Sequence, residues 1–284
     1  MIISVASGKG GTGKTTVATN LARTLGEQVT FLDCDVEEPN AHLFLNPDIV
    51  ERKDVFTFLP KIDKNRCDHC GRCRDICRFG AITIVGKAIL LFPELCHSCG
   101  GCLEVCPQEC ISEDQRLLGS IESGTVGSIN FHHGILRIGE AMSPPLIKRL
   151  RKDCQRGETV IIDAPPGTSC PVIAAMHQSD FIVLVTEPTP FGLHDLKIAH
   201  ETVKQLEIPR GAVINRANLG DNSVQEYAEA NNLPILLEIP FSKNIAELYS
   251  RGLLLVEEEP DWAAAFQELF RKITSYVVLE RSKA

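Results

Sequence analysis

Short, continuously apolar segments alternate along this chain with longer segments in which apolar residues recur every three or four positions. Continuous apolar runs rich in β-branched residues are typical of strands buried on both faces, and the longer spacing is typical of helices with one buried face. The runs that predict strands occupy residues 1–6, 28–32, 159–162, 181–185, 212–214 and 234–241. This alternation predicts an α/β fold with a mostly parallel sheet and helices on both faces.

Two segments depart from this alternation. Residues 117–140 are rich in glycine and β-forming residues, which predicts short strands and loops that return to the sheet. The tail that begins at Trp262 has apolar residues at helical spacing, namely Phe266, Leu269, Phe270, Ile273 and Val277. Because this predicted helix has no strongly basic face, we expect it to pack on the sheet rather than to dock on a membrane.

A glycine-rich loop lies between the first predicted strand and the first predicted helix. A strand, such a loop and a helix form the context in which the pattern GxxxxGK[ST] binds phosphate. Glycines let backbone N–H groups surround a polyphosphate, the helix N-terminus attracts the same anion, and Lys14 adds a positive charge. The candidate nucleotide-binding residues are Gly8, Lys9, Gly10, Gly11, Thr12, Gly13, Lys14, Thr15 and Thr16. Thr15 is also a candidate Mg²⁺ ligand. The alternative is a turn that binds nothing.

Acidic residues follow two of the predicted strands, at positions where open α/β sheets bind ligands. Asp33 and Asp35 follow the second strand, and Asp163 precedes the rigid turn Pro165-Pro166-Gly167. An aspartate at the end of a strand is weak evidence alone, but after a phosphate-binding loop in the chain it indicates a nucleotide site. Asp33 is equally well placed to cap a helix.

The segment Lys9-Gly10-Gly11-Thr12-Gly13-Lys14-Thr15 resembles the deviant P-loop of the MinD, ParA and nitrogenase iron protein class of ATPases. The resemblance covers nearly the whole chain. It implies a homodimer formed across ATP, in which Lys9 reaches the partner subunit's nucleotide as an arginine finger does. It also implies catalytic roles for Lys9, Lys14, Asp35 and Asp163.

The same resemblance implies further roles around the nucleotide. Asp35 positions the attacking water, and Thr15, Asp35 and Asp163 lie around Mg²⁺. Gly167 approaches the γ-phosphate, and the amide of Asn215 pairs with adenine.

Twelve cysteines occur in the chain, and eight of them form a repeated motif. Cys67-x2-Cys70-x2-Cys73-x3-Cys77 recurs as Cys96-x2-Cys99-x2-Cys102-x3-Cys106, followed by proline, and this resembles the bacterial dicluster ferredoxin pattern. The resemblance implies one [4Fe–4S] cluster, cluster I, bound by Cys67, Cys70, Cys73 and Cys106. It implies a second, cluster II, bound by Cys96, Cys99, Cys102 and Cys77. Zinc is an alternative that accounts poorly for the third cysteine of each motif.

The ferredoxin-like part is expected to cover residues 62–112, inserted into an ATPase domain formed by residues 1–60 and 113–284. Cys110 occupies the position of Ala81 in the other repeat, so it is interpreted as a buried small residue and not as a ninth ligand. Cys34 and Cys154 are expected to be structural. Cys170 matches a ligand of the intersubunit cluster of the nitrogenase iron protein, but the second cysteine of that site has no counterpart here, so such a cluster is not expected.

Charge and hydropathy limit the possible partners. The formal net charge of −8 argues against general affinity for nucleic acid or anionic membranes. Nothing resembles a signal peptide and no apolar run reaches about 18 residues, so we expect a cytoplasmic protein that is not stably inserted in a membrane. In that compartment clustered cysteines indicate metal ligands rather than disulfides.

These features predict a Mg-ATP-dependent homodimeric ATPase that couples ATP binding and hydrolysis to its [4Fe–4S] clusters. It would pass electrons, or clusters, to a redox or cluster-acceptor protein whose identity the sequence does not give. Two alternatives remain open. One is a non-hydrolytic iron–sulfur scaffold latched by ATP. The other is a ParA-like or MinD-like positioning ATPase with a structural ferredoxin, which the acidic composition disfavours.

Overall fold

The computed structural model describes residues 1–26, 29–152 and 159–282. The strands are β1 (Ile2–Ala6), β2 (Val29–Asp33), β3 (Asp48–Ile62), β4 (Ile82–Val85), β5 (Ala88–Leu91), β6 (Ile111–Val126), β7 (Ile129–Leu136), β8 (Thr159–Asp163), β9 (Phe181–Thr186), β10 (Arg210–Asn215) and β11 (Ile235–Ile239). The helices are α1 (Lys14–Leu25), α2 (His42–Leu45), α3 (Arg72–Ile76), α4 (Gly101–Glu104), α5 (Pro144–Lys152), α6 (Cys170–Met176), α7 (Pro190–Gln205), α8 (Ser223–Ala230), α9 (Lys243–Ser250), α10 (Leu255–Glu258) and α11 (Pro260–Arg281). A 3-10 turn covers Pro93–Leu95.

The main sheet has nine strands in the order β11-β10-β9-β1-β8-β2-β7-β6-β3. Neighbours from β11 to β7 are parallel, whereas β6 is antiparallel to both β7 and β3. Every residue of β2 and β9 is buried. Burial on both faces explains why the parallel strands have nearly continuous apolar sequences. The predicted α/β fold with a mostly parallel sheet is confirmed.

Helices cover both faces of this sheet and enclose two hydrophobic cores. Buried residues of α5, α6, α7 and α8 belong to the core on one face. Buried residues of α1 and α11 belong to the core on the other, where Phe266, Leu269 and Ile273 have no exposed surface. The predicted C-terminal helix is therefore confirmed, as is its packing on the sheet. In the three described ranges, no helix has the length and apolar character needed to cross a bilayer.

A long antiparallel ribbon of β3 and β6 connects the main sheet to the cysteine-containing segment. The two strands pair from Asp48 opposite Thr125 to Ile62 opposite Ile111. The segment between their far ends contains the two-stranded sheet β4/β5, the helices α3 and α4 and a small core of its own. Residues 117–140 contain strands that return to the main sheet, as predicted, but the strands are not short, because β6 continues for 16 residues by pairing with β3 along its length.

Candidate nucleotide site and cysteine-lined cavities

The loop between β1 and α1 requires glycine at three positions, since Gly11 and Gly13 have positive φ and Gly8 lies close to another backbone segment. Gly13 has a φ of +94° directly before α1, a backbone conformation that other residues rarely adopt. A side chain at Gly8 would collide with the backbone of Asp195 in α7. In contrast, a side chain at Gly10 would meet open space. The loop is therefore held tightly at its ends, and its residues 10–16 line a cavity.

This cavity has a volume of about 420 Å³ and a lining of two kinds. Lys14, Thr15 and Asp35 make part of it polar, whereas Phe241 and Tyr249 contribute apolar rings that are 43% and 50% exposed. A nucleotide also has two parts, since its anionic phosphates suit the polar part of the lining and its planar base suits the apolar rings. The N-terminus of the 12-residue helix α1 adds a positive dipole end next to Lys14. The residues present therefore fit a nucleoside polyphosphate.

Asp163, the last residue of β8, has a fully buried side chain that contacts the glycine-rich loop. The Thr15 hydroxyl donates to its Oδ2 at 2.6 Å, and Lys14 Nζ lies 3.7 Å from its Oδ1. Among the described residues, no donor makes a hydrogen bond to this Oδ1 or to the buried Thr12 hydroxyl. Unbonded buried oxygens are costly, and oxygen is the ligand atom that Mg²⁺ prefers. Thr15 and Asp163 thus fit a magnesium ion.

Asp33 and Asp35 have different surroundings although they are close in sequence. Asp33 is fully buried and accepts backbone N–H bonds from Asp35 at 3.1 Å and from Asn40 and Ala41 at 3.0 Å each. The bonds from Asn40 and Ala41 hold the backbone directly before α2, but in the described part of the chain Asp33 makes no capping bond to the helix itself. We call residues 34–41 the Asp35 loop. Asp33 fixes this loop, and Asp35 itself lines the cavity.

Burial raises the pKa of all three acids at the ends of β2 and β8. Burial and then the charge of Asp163 raise the pKa of Asp33 to about 8. Burial raises the pKa of Asp35 to about 6, although the Lys14 ammonium partly opposes this. Burial also raises the pKa of Asp163, against the lowering effect of Lys14. A bound cation favours the ionised carboxylates and would therefore oppose these upward shifts of the pKa.

We expect Mg-ADP binding to release protons between pH 6 and pH 8. Because a dication favours the ionised acids, the apparent Mg²⁺ affinity should rise with pH in this window, by at most about tenfold per pH unit for each proton released. Calorimetry in buffers with different ionisation enthalpies counts these protons. Asp33→Asn should reduce the count, and the exposed control Asp48→Asn should leave it unchanged. A pH-independent affinity in the wild-type protein would contradict the prediction.

Lys9 belongs to the same loop, but its side chain points to a different partner. Its Nζ lies 3.9 Å from Glu187 Oε2, and Glu187 also accepts a hydrogen bond from Arg216 at 2.6 Å. The Lys9 side chain is 32% exposed. It is therefore accessible from outside the chain.

Asn215 and Gly167 both contact the glycine-rich loop. The Asn215 amide donates to Thr12 O and its oxygen accepts from Arg216 N, each at 2.9 Å, while the residue also lines the cavity. Gly167 has a φ of +96° and its N–H donates to Ser7 O at 2.9 Å. In this structure Asn215 therefore positions the loop, and its amide N–H₂ and oxygen each have capacity for one more hydrogen bond, which a base could use.

The structure brings the eight motif cysteines together in two separate cavities. Cys67, Cys70, Cys73 and Cys106 line one cavity, which we call cavity I. Cys77, Cys96, Cys99 and Cys102 line the other, cavity II. These two groups are the ones that the sequence predicts, including the exchange of the fourth cysteine between motifs. Four thiolates around each cavity fit a [4Fe–4S] cube. Within the described ranges, no three His, Cys, Asp or Glu side chains converge as ligands of a single metal ion.

A buried ion pair connects cavity II with the Asp35 loop. Arg116 of β6 donates to the carbonyl of Cys96 and to Glu140 Oε1, both at 3.0 Å. The Glu140 side chain has no exposed surface, and its Oε1 also accepts from the N–H of Met142. The adjacent Ser143 donates to Glu37 at 3.0 Å. Two sets of polar contacts, joined by the peptide bond between Met142 and Ser143, thus connect the backbone of a cavity II cysteine to a residue two positions from Asp35.

Strand β6 also reaches the end of the Asp35 loop through two histidines. Glu122 of β6 lies 2.9 Å from His133 Nε2, and the His133 ring contacts the ring of His42 at a centroid distance of 5.3 Å. His42 begins α2, directly after Ala41. The ribbon that carries the cysteine segment is therefore linked, through intervening side chains, to Glu37 within the loop and to His42 directly after it.

The remaining cysteines have three different environments. Cys34 is fully buried, as predicted. Cys170 is exposed at the start of α6. Cys154 lies outside the described residues. Cys110 is buried, as predicted, and it also lines cavity I.

Several residues of this site carry no sequence signal that would have identified them. Tyr249 lies on an ordinary amphipathic helix, and Glu187 follows a buried strand without any motif. Arg116 and Glu140 are 24 residues apart and come together only because β6 and β7 form a hairpin.

Comparison with known proteins identifies related sequences and folds. A family model described as the CobQ/CobB/MinD/ParA nucleotide binding domain matches residues 3–256. An uncharacterized protein of Methanocaldococcus jannaschii is 30% identical over 285 residues, covering 98% of each chain. An iron-sulfur cluster carrier protein of Pyrococcus abyssi is 25% identical over 294 residues, covering 96% of this chain and 85% of that protein.

A solved structure also resembles the fold. The septum site-determining protein MinD of Pyrococcus horikoshii, in complex with Mg-ADP, matches with a TM-score of 0.61 and 21% sequence identity. The match covers 96% of this chain and 95% of that chain. At this identity the likeness concerns the fold.

Proposed function

Because the chain belongs to the CobQ/CobB/MinD/ParA family of nucleotide-binding domains, we propose that it is a Mg-ATP-dependent homodimeric ATPase whose nucleotide state is coupled to two [4Fe–4S] clusters. The coupled output is delivery of a cluster, or of electrons, to an acceptor protein. We assign residues 1–60 and 113–284 to the ATPase domain and residues 62–112 to a ferredoxin-like insert. The fold and the cysteine cavities described above support these assignments.

In the nucleotide site we assign each residue a role from its position. Residues Gly8 to Thr16 and Gly167 surround the phosphates, Lys14 neutralises their charge, and Asn215 contacts the base with the remaining capacity of its amide. Thr15, Asp35 and Asp163 would hold Mg²⁺, which would shield the charge of the transferred phosphoryl group. Asp35 orients the attacking water and accepts its proton.

Lys9 acts in the dimer. Its exposed ammonium releases Glu187 and contacts the partner subunit's nucleotide, where a positive charge stabilises the transition state. The 3.9 Å separation from Glu187 supports an exchangeable contact, since an ion pair of this length at a partly exposed position is weak.

The observation that carries the coupling proposal is the buried Arg116–Glu140 pair between cavity II and the Asp35 loop. Separating two buried charges is costly, so the pair moves as a unit when either end shifts. A change in the Asp35 loop on nucleotide binding would therefore reach the Cys96 carbonyl through the backbone of Ser143 and Met142 and then through Glu140 and Arg116. The surroundings of a cluster set its reduction potential.

Cluster delivery is the output that the relatives favour. The Pyrococcus abyssi protein is named an iron-sulfur cluster carrier. Electron transfer remains the second candidate output, because both cavities lie in one small segment in which two clusters could exchange electrons. Transfer of iron and sulfide to an apo-ferredoxin, compared with reduction of an already loaded ferredoxin, separates the two.

The central test is anaerobic EPR of the reduced protein with and without Mg-ATP, together with measurement of phosphate release. We expect ATP turnover and a nucleotide-dependent change in the spectrum or potential of cluster II. Lys14→Ala is the control, because it should keep the clusters while losing the nucleotide response. Absence of iron after anaerobic reconstitution, or identical spectra in both conditions, would overturn the coupling.

A further inference from the structure

Cavity I is lined by a fifth cysteine in addition to the four predicted ligands. Cys110 Sγ lies 3.4 Å from Cys106 Sγ, and the Cys110 N–H also donates to Cys106 Sγ at 3.4 Å. Cys110 is only 5% exposed, whereas Cys106 is less deeply buried. A thiol in contact with a predicted ligand, inside the same cavity, has a position from which it could bind the same cluster.

Cavity II provides an internal comparison because the two motifs form matching turns. Gly80 N–H donates to Cys77 O and Glu109 N–H donates to Cys106 O, at 3.4 and 3.2 Å. Gly80 and Glu109 both have positive φ, at 66° and 47°. The next residue lines the cavity in each case, but it is Ala81 in cavity II and Cys110 in cavity I. The same backbone position therefore presents a thiol to only one of the two cavities.

We propose that Cys110 is an alternate ligand of cluster I that can replace Cys106; this inference rests on the proposed function, in which cavity I holds a cluster. In the exchange, a bond from Cys110 Sγ to iron forms as the bond from Cys106 Sγ breaks. The thiol proton of Cys110 passes to Cys106. The number of bound thiolates and the net charge therefore stay constant.

The positions of the two sulfurs indicate what the exchange does. Cys106 also lines an open surface depression, with Arg72, Arg78 and Pro107, so solvent and an acceptor protein can approach it. Cys110 packs instead in the small core of the segment, beside Ile82 and Ile111. Exchange therefore frees the ligand nearer the surface while the buried ligand retains the cluster.

Iron and sulfide content of anaerobically reconstituted variants tests the proposal. Two clusters correspond to about eight iron atoms per chain. We expect about eight in the wild type and in Cys106→Ala, and about four or fewer in Cys106→Ala/Cys110→Ala. EPR of reduced Cys106→Ala should show a cluster I signal that differs from that of the wild type, because one ligand has changed.

Cavity II supplies the matched control. Cys77→Ala should fall to about four iron atoms, because Ala81 cannot bind iron, and Cys77→Ala/Ala81→Cys should return to about eight. The role of Cys110 would be overturned if the wild type holds about eight iron atoms per chain while Cys106→Ala holds as few as Cys106→Ala/Cys110→Ala. Loss of ADP binding would show that Cys106→Ala does not fold. In that case, a Cys77→Ala/Ala81→Cys variant that holds no more iron than Cys77→Ala would overturn the role of Cys110. A wild-type protein without iron would instead contradict the proposed function.

Discussion

Asp35→Ala is expected to bind Mg-ATP within about threefold of the wild-type affinity but to hydrolyse it at least about 100-fold more slowly. Asp35 lines the cavity but is not part of the contacts among Lys14, Thr15 and Asp163. Its removal therefore leaves Lys14, which faces the phosphates, and Thr15 and Asp163, two of the three residues assigned to the metal, in place. The variant loses the carboxylate that orients water and accepts its proton. Such a group typically raises the reaction rate by about 10²- to 10⁴-fold.

Glu38→Ala is the matched control for this experiment. Glu38 belongs to the same loop, lines the same cavity and carries the same charge, but we assign it no role in the reaction. Single-turnover phosphate release and equilibrium binding of ATP should both stay near wild-type values. Unchanged turnover in Asp35→Ala, or an equal loss in Glu38→Ala, would remove the role assigned to Asp35.

Asp35→Ala also distinguishes an ATPase that needs hydrolysis from a scaffold that needs only bound ATP. Asp35→Ala holds ATP without cleaving it, so a scaffold that needs only bound nucleotide should still transfer its clusters at the wild-type rate. An ATPase that needs turnover to release its partner should stall after one transfer. Counting transferred clusters per chain distinguishes the two outcomes.

The sequence predicted the parts of the fold in which local pattern and burial agree. The central parallel strands are apolar because both of their faces are covered, and α11 has its buried residues at helical spacing. The first seven residues of β3 are exposed, so no apolar pattern marks this strand, and its pairing with β6 was not foreseen. Strands without a buried face gain their order from hydrogen bonds to a neighbour, which a local pattern does not contain.

The candidate site was predictable to the extent that its residues form spaced motifs. The glycine-rich loop and the cysteine repeats have fixed spacing because their backbone must fold around one ligand. Arg116 and Glu140 have no such spacing, since they meet only through the pairing of β6 with β7. Cys110 shows a different limit. Its alignment with Ala81 indicated its backbone position correctly, but not the contact between its sulfur and Cys106.

Glu140→Ala is expected to lower the free energy of unfolding by about 3–5 kcal/mol, because it removes the buried counter-charge of Arg116 and leaves only the exposed carboxylate of Glu94 beside it. The Arg116 side chain is 9% exposed and that of Glu140 has no exposed surface. Urea unfolding followed by far-UV circular dichroism measures this loss.

Glu94→Ala is a close control for the charge effect. Glu94 pairs with Arg116, as Glu140 does, and also with Arg137, but the Glu94 side chain is 63% exposed. Solvent already screens this carboxylate, so its loss should cost about 1 kcal/mol or less. Equal destabilisation by the two variants would show that burial of the Arg116–Glu140 pair is unimportant.

Ser143→Ala then tests whether the pair transmits a signal and does not merely stabilise the fold. This change removes the hydrogen bond to Glu37, at a cost of about 1 kcal/mol, and leaves the contact between Arg116 and Glu140 intact. We expect stability and iron content close to wild type, but a smaller response of the cluster II EPR signal to Mg-ATP. A full response in Ser143→Ala would mean that the signal takes another route. The next connection to break would then be the contact of β6 with His42, which runs through Glu122 and His133, because His42 directly follows the Asp35 loop.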